Sequence, residues 1–159
     1  MNYEDCFKQG LLRYVEPSKK KSEESIKQSE EWLNEAMINF KAGAFRSTLS
    51  SVYLSIFHAA RAILFIDGVR EKSHYCVGMY LEKYVEQGLL EKEWVIIFDR
   101  MRSVRHADQY SFYSTYTTEE IQSYISTARE FLERMKKLLK NCTCSKSKNT
   151  KEQNPFGEI

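Results

Sequence analysis

The side chains of this 159-residue chain best suited to chemistry are concentrated in one stretch, RHADQY (Arg105–Tyr110). An arginine stays charged at any working pH, and its planar fork can meet two phosphate oxygens at once. His106 beside it belongs to the one residue type that titrates near neutrality. Tyr110, with an ordinary pKa of about 10, can donate a hydrogen bond but is a poor general base at neutral pH. Arg102 lies one helical turn earlier and Asp108 one turn later. Tyr110, Phe112, Tyr113 and Tyr116 then offer aromatic faces on which bases could stack beside a phosphate. For Arg105 and Asp108 there is also a plainer account, an ion pair between residues three apart on a helix.

Elsewhere the chemical signals are thinner. His58 reads as a hydrogen-bonded packing residue or one at a subunit seam, and His74 as part of a helix start. Cys6, Cys76, Cys142 and Cys144 show neither CxxC units nor even spacing, which argues against a disulfide framework and a structural zinc site. Cys142 and Cys144 read as thiols of a polar tail. No residue set calls for a metal or cofactor.

The elements that must position Arg105 are helical. Two prolines and six glycines in this length leave few interruptions, and 42% hydrophobic residues suffice for one core. Ser47–Phe65 is apolar or aromatic over most of its circumference and is the expected central helix, packed on several sides. It is long enough to span a membrane. However, Ser47, Ser50, Ser51, Ser55, His58 and Arg61 would then sit in hydrocarbon, so a soluble core helix is expected. Before it, Asn2–Val15 is read as a short helix stopped by Glu16-Pro17. The run Lys19–Lys21 is read as a solvated flank, followed by a helix capped by Ser22 and closed at Gly43. A further helix starts at Ser73 and closes at Gly88. The next, Glu91–Ala107, has its seam at Trp94, Ile97, Phe98 and Met101. Steps of about 100° per residue put Arg105 in line with Trp94, and Asp108 in line with Met101. Charge thus enters where core is expected. After a connection over Tyr110–Tyr116, Thr117 opens a capping box with Glu120, and Ile121, Tyr124, Ile125, Ala128, Leu132, Met135 and Leu139 make the stripe of a last helix. No internal repeat is present.

The expected architecture is therefore all-α, an up-and-down antiparallel bundle with a short N-terminal helix. Residues 1–140 form one domain and 141–159 a disordered polar tail. A net charge of +2, from 24 basic and 22 acidic residues, gives no bulk field for nucleic acid. The N-terminus carries acidic residues and no apolar secretory region, so a cytoplasmic location is expected.

Four separated segments, GLLRYVEPS (Gly10–Ser18), FHAARAIL (Phe57–Leu64), the Ser73-His74 helix start and RHADQY, resemble the prokaryotic HEPN-domain proteins often encoded beside a minimal nucleotidyltransferase. The resemblance runs from about Tyr3 to Leu139. It implies a HEPN-like bundle, usually a homodimer, whose arginine motifs face a shared cleft. In ribonuclease members, an arginine and a histidine five positions later cleave RNA without metal, by attack of the ribose 2′-hydroxyl on the adjacent phosphate. Here Arg105 matches the arginine, His106 the polar residue after it, and Tyr110 stands in the histidine's place. In some toxin members a tyrosine two residues beyond the histidine receives AMP from the paired nucleotidyltransferase. Phe112 occupies that place, with Tyr110 or Tyr113 as the nearest substitutes.

Three functions follow as expectations. The leading one is a HEPN module of a nucleotidyltransferase-paired, toxin-antitoxin-like system, binding nucleotide or RNA in a dimer cleft through Arg105, Arg102, Asp108 and Tyr113. The second is an active metal-independent ribonuclease using Arg105 with His106 or Tyr110. The third is a structural helical adaptor without a nucleotide site.

Overall fold

The computed structural model of the chain describes residues 1–110 and 115–149, with side chains as far as Cys142. The order is α1 (Tyr3–Lys8), β1 (Leu12–Tyr14), α2 (Lys19–Lys41), α3 (Phe45–Asp67), β2 (Val69–Glu71), α4 (His74–Glu86), α5 (Lys92–Tyr110) and α6 (Thr118–Asn149). The α3 helix is the axis of the bundle, touching α2, α4, α5, α6 and β2. Among the described residues it is the one helix long and apolar enough to cross a membrane. Its apolar length is instead spent on the bundle, with 72% of its most apolar window buried. It closes at Asp67, with Gly68 taking the left-handed conformation at φ +75°. A Cβ there would also meet the Val15 carbonyl and the Pro17 ring.

A short link at Ala42–Ala44 makes α2 and α3 antiparallel neighbours, and a serine ladder sets how closely they approach. The Ser22, Ser25 and Ser29 hydroxyls donate to the carbonyls of Ala62, His58 and Ser55 at 2.8, 2.7 and 2.6 Å. Small side chains let the backbones come close, and each buried hydroxyl is satisfied. Ser22 is therefore an interface residue and not the cap expected of it. The cap is Ser18, whose Oγ accepts from Lys21 N at 3.1 Å, so Lys19–Lys21 form the first helical turn.

The N-terminal segment also departs from expectation. The helix ends early, Gly10 turns the chain at φ +69°, and Leu12–Tyr14 pairs antiparallel with β2 in the register Leu12↔Glu71, Arg13↔Arg70, Tyr14↔Val69. The pairing partner lies far along the chain, where local periodicity carries no trace of it. Phe7 stacks on Tyr14 at 4.5 Å. Cys6 and Cys76 form a disulfide between α1 and α4, correcting the inference drawn from their spacing. Two cysteines separated by 70 positions carry no motif, and only the docking of α1 on α4 brings them together.

At the other end α6 carries its expected stripe. Ile121, Ile125, Ala128, Leu132 and Met135 are buried, joined by Phe131 and Leu138. Thr117 caps it, accepting from Glu120 N at 3.2 Å. The helix runs through the expected boundary at Asn141 to Asn149. No proline or glycine stands in its way, and the half-buried Cys142 thiol donates to the Tyr84 hydroxyl at 3.5 Å. Tyr84 and Tyr80 both donate to the Asp67 carboxylate, Tyr80 at 2.8 Å, which ties α4 to the end of α3.

Candidate functional site

The last turns of α5 carry the RHADQY stretch, since the helix continues past the expected end at Ala107 to Tyr110. Phe98 and Met101 hold its inner seam. Asp108 falls next on that seam and is only 4% exposed. Its partner is not Arg105. Arg46, in the first turn of α3, brings Nε to 3.8 Å from Asp108 Oδ2 and donates from Nη2 to the Asp108 carbonyl at 3.2 Å. Asp108 thus fastens α5 to the start of α3, which sets aside the plainer account of an ion pair with Arg105.

Arg105 turns toward the middle of α3, with its guanidinium carbon 4.9 Å from the centroid of the Tyr53 ring, a cation–π contact. Tyr53 is fully buried, and its hydroxyl lies 2.8 Å from Nδ1 of His74 at the start of α4. The His74 ring stacks on Phe57 with centroids 4.2 Å apart, leaving the residue otherwise exposed. Beside them Arg102 lies over Tyr75 at 5.3 Å and bonds Asp99 Oδ1 through Nε and Nη2 at 3.1 and 2.9 Å. Further along α3, Arg61 pairs with the buried Glu71 carboxylate at 2.7 Å and lies over Phe65 at 4.8 Å. Arg61 and His58 also line a cavity of about 530 Å³ with Lys21, Arg70 and Phe65.

The electrostatics follow from this crowding of cations over aromatic rings. Burial pushes the Tyr53 hydroxyl up to about 12, outweighing Arg105 and Arg102, which pull it down. His74 is held below the ordinary imidazole range, first by partial burial and then by Arg105, with Arg61 and Arg102 adding to the effect and Glu71 opposing it. His58 is lowered by burial, then by Arg61 and His74. Both imidazoles are therefore neutral at pH 7. Arg102 spends part of its charge on Asp99. Among the described residues no carboxylate pairs with Arg105.

The three residues expected to act together do not converge within one chain. Tyr110 follows Arg105 by five positions, about 140° around a helix, and so leaves from another side. Tyr110, 71% exposed, pairs instead with His106, their rings 4.7 Å apart. Tyr113 and Phe112 lie outside the described residues. Tyr116 is half-buried and packs edge-on against Tyr124. Among the described residues no group of three His, Cys, Asp or Glu side chains comes together as a metal site.

Sequence reasoning missed Tyr53, Phe57, Arg61 and His74 as site residues. A signal was present for the first three, which follow one another at four-residue intervals and so share a stripe of α3. His74 gave none, because its neighbours come from other helices.

The family model for the HEPN domain matches residues 22–138. The chain belongs to the HEPN family. The "Putative toxin" of Methanocaldococcus jannaschii is 32% identical over 119 residues, 72% of this chain and 86% of that protein. A "UPF0332 protein" of Pyrococcus horikoshii is 32% identical over 82 residues, 51% of this chain and 58% of its own. Another of that name, from Thermotoga maritima, is 23% identical over 116 residues, 72% and 88% of the two chains. The HEPN match spans Tyr53, His74, Arg102 and Arg105 and leaves out α1 and β1. Cys6 of the disulfide therefore lies outside the HEPN match, and Cys76 inside it.

Proposed function

We propose that this HEPN protein binds RNA or a nucleotide through the Arg105 surface, as the toxin-like member of a cytoplasmic two-gene system whose partner is a minimal nucleotidyltransferase. Two copies assemble as a homodimer around a cleft that the two Arg105 side chains share. The observation that carries the reading is the unspent charge of Arg105, a half-buried guanidinium propped on a buried aromatic ring with no carboxylate partner among the described residues. A guanidinium that is held in place and lacks an anion is ready for a phosphate. The name of the Methanocaldococcus jannaschii relative supports the toxin-like role. Binding is favoured over cleavage because a tyrosine replaces the motif histidine and leaves the helix on another side from Arg105.

The test is the affinity of fluorescent single-stranded RNA for the protein in EDTA, at several salt concentrations, for wild type, Arg105→Ala and Tyr110→His. Arg105→Ala should weaken binding at least tenfold, the worth of about one charge-assisted hydrogen bond. It should also make the salt dependence shallower by about 0.7 in log–log slope. The same reactions read cleavage. An intact pool with wild type and cuts with Tyr110→His fit a disarmed cleft. Cutting by wild type that Arg105→Ala abolishes establishes the ribonuclease instead, and equal binding by wild type and Arg105→Ala leaves the adaptor.

A further inference from the structure

We propose that His74 is a phosphate-binding residue of this surface, its outward Nε2–H a third donor beside Arg105 and Arg102, aimed by the hydrogen bond from Tyr53 to Nδ1. The inference rests on the reading of the Arg105 surface as a phosphate site and names a ligand-contacting residue within it.

The argument is one of proton placement. Tyr53 is fully buried, and the hydroxyl has His74 Nδ1 as its partner at 2.8 Å. A phenol held well above its ordinary range keeps its proton at neutral pH, so the hydroxyl donates and Nδ1 accepts. A neutral imidazole carries one hydrogen, which must then sit on Nε2, the nitrogen on the far side of the ring. The ring plane is fixed by Phe57 on one face, at 4.2 Å, and by stacking with Tyr53 at 5.9 Å. An exposed edge thus presents a donor and no acceptor. That arrangement is unsuited to taking a proton through Nε2 but well suited to an anion.

The charged groups around the ring agree. Arg105 and Arg102 come from α5, Arg61 and the neutral His58 from α3, and Glu71 from β2, where it is already paired with Arg61. Burial first, and then three cations against one spent carboxylate, hold the free imidazole neutral. A bound phosphate reverses that balance, because an anion beside the ring favours the imidazolium. Protonation at Nδ1 turns the Tyr53 bond around, with N–H now donating to the hydroxyl oxygen, and leaves Nε2–H facing outward. The outward donor persists in both states, and binding takes up a proton. By linkage, affinity then rises as pH falls through the His74 titration of the complex.

The experiment is histidine-detected ¹⁵N NMR on the full chain, titrated with inorganic phosphate, AMP and a short single-stranded oligoribonucleotide, with His58 as internal reference. His74 should show the Nε2–H form when free, and its midpoint should move to higher pH on binding while that of His58 moves less. In parallel, oligonucleotide affinity should improve severalfold between about pH 8 and pH 6 in wild type. His74→Gln, whose amide donor is not aimed by Tyr53 and cannot titrate, should bind more weakly than wild type at pH 8 and show a flat profile. Tyr53→Phe should mix the tautomers and weaken binding. An Nδ1–H form in the free protein, or a pH profile unchanged in His74→Gln, overturns the proposal. If RNA does not bind but phosphate moves the His74 midpoint, the donor assignment stands and only the RNA reading fails. If RNA binds through Arg105 with the His74 midpoint unmoved, the reverse holds.

Discussion

Removing the link between Cys6 and Cys76 should lower the stability of the whole bundle, because of what the link encloses. The two residues are 70 positions apart, and the closed loop contains β1, α2, α3 and β2, including the central helix of the bundle. Cross-linking a loop of that length removes unfolded-chain entropy worth about 4 kcal/mol at room temperature. For a chain of this size about 1 kcal/mol corresponds to roughly 2–4 °C in Tm, so the predicted loss is roughly 8–16 °C. The double variant Cys6→Ala/Cys76→Ala should show it in thermal melts followed by far-ultraviolet circular dichroism. Wild type unfolded and refolded in excess reductant should fall to a similar Tm, with mass after alkylation reporting the state of the pair. Reducing surroundings oppose such bonds, but both residues are fully buried, so reduction of the folded protein should be slow. A Tm within about 2 °C of wild type in the double variant would refute the entropic argument. It would mean that the six-residue α1 is held well enough by its aromatic contacts, Phe7 against Tyr14 and Tyr80 and Tyr3 against Tyr80.

Acidification should destabilise the fold through its two depressed histidines. Because His58 and His74 lie below their ordinary values in the folded chain, the unfolded state binds more protons once pH drops under about 6.5. Their contribution is complete above that value and is lost as pH falls toward the folded values. Urea midpoints should decline from pH 7 to pH 5, and the decline should shrink in His58→Gln/His74→Gln; an equal slope in the variant would contradict the assignment. Gly78→Ala tests the packing of α4 on α5, since a Cβ there would lie 2.5 Å from Cδ1 of the wholly buried Phe98. Overpacking of about 1–3 kcal/mol should exceed the helix-propensity gain of about 1 kcal/mol, lowering the urea midpoint. A rise in that midpoint would show that the Phe98 ring has room to move.

How legible the site was depends on where each residue's neighbours come from. Arg105 and Asp108 stood out because charge continues an apolar seam, and the structure gives each a reason, a bed of Tyr53 for one and a tie to Arg46 for the other. The plainer alternative, an ion pair between them, does not form because residues three apart on a helix meet only if no stronger partner faces either one. Tyr53 looked like core, which it is, but its ring and hydroxyl also serve the surface above it. His74 looked like part of a helix start because the residues that fix it, Tyr53 and Phe57, belong to another helix.

What the sequence by itself determined was the helical content, the central place of the α3 segment and most helix ends. These depend on apolar periodicity, caps and glycines, which act over a few residues. Only the tertiary structure decided the β1–β2 pairing, the Cys6–Cys76 bond, the burial of Ser22, Ser25 and Ser29, and the meeting of Tyr53, His74 and Arg105. Each of these joins residues that are distant along the chain and touch only after the helices have packed. Local pattern can specify which face of a helix turns inward, but not which side chain of another helix will be waiting there.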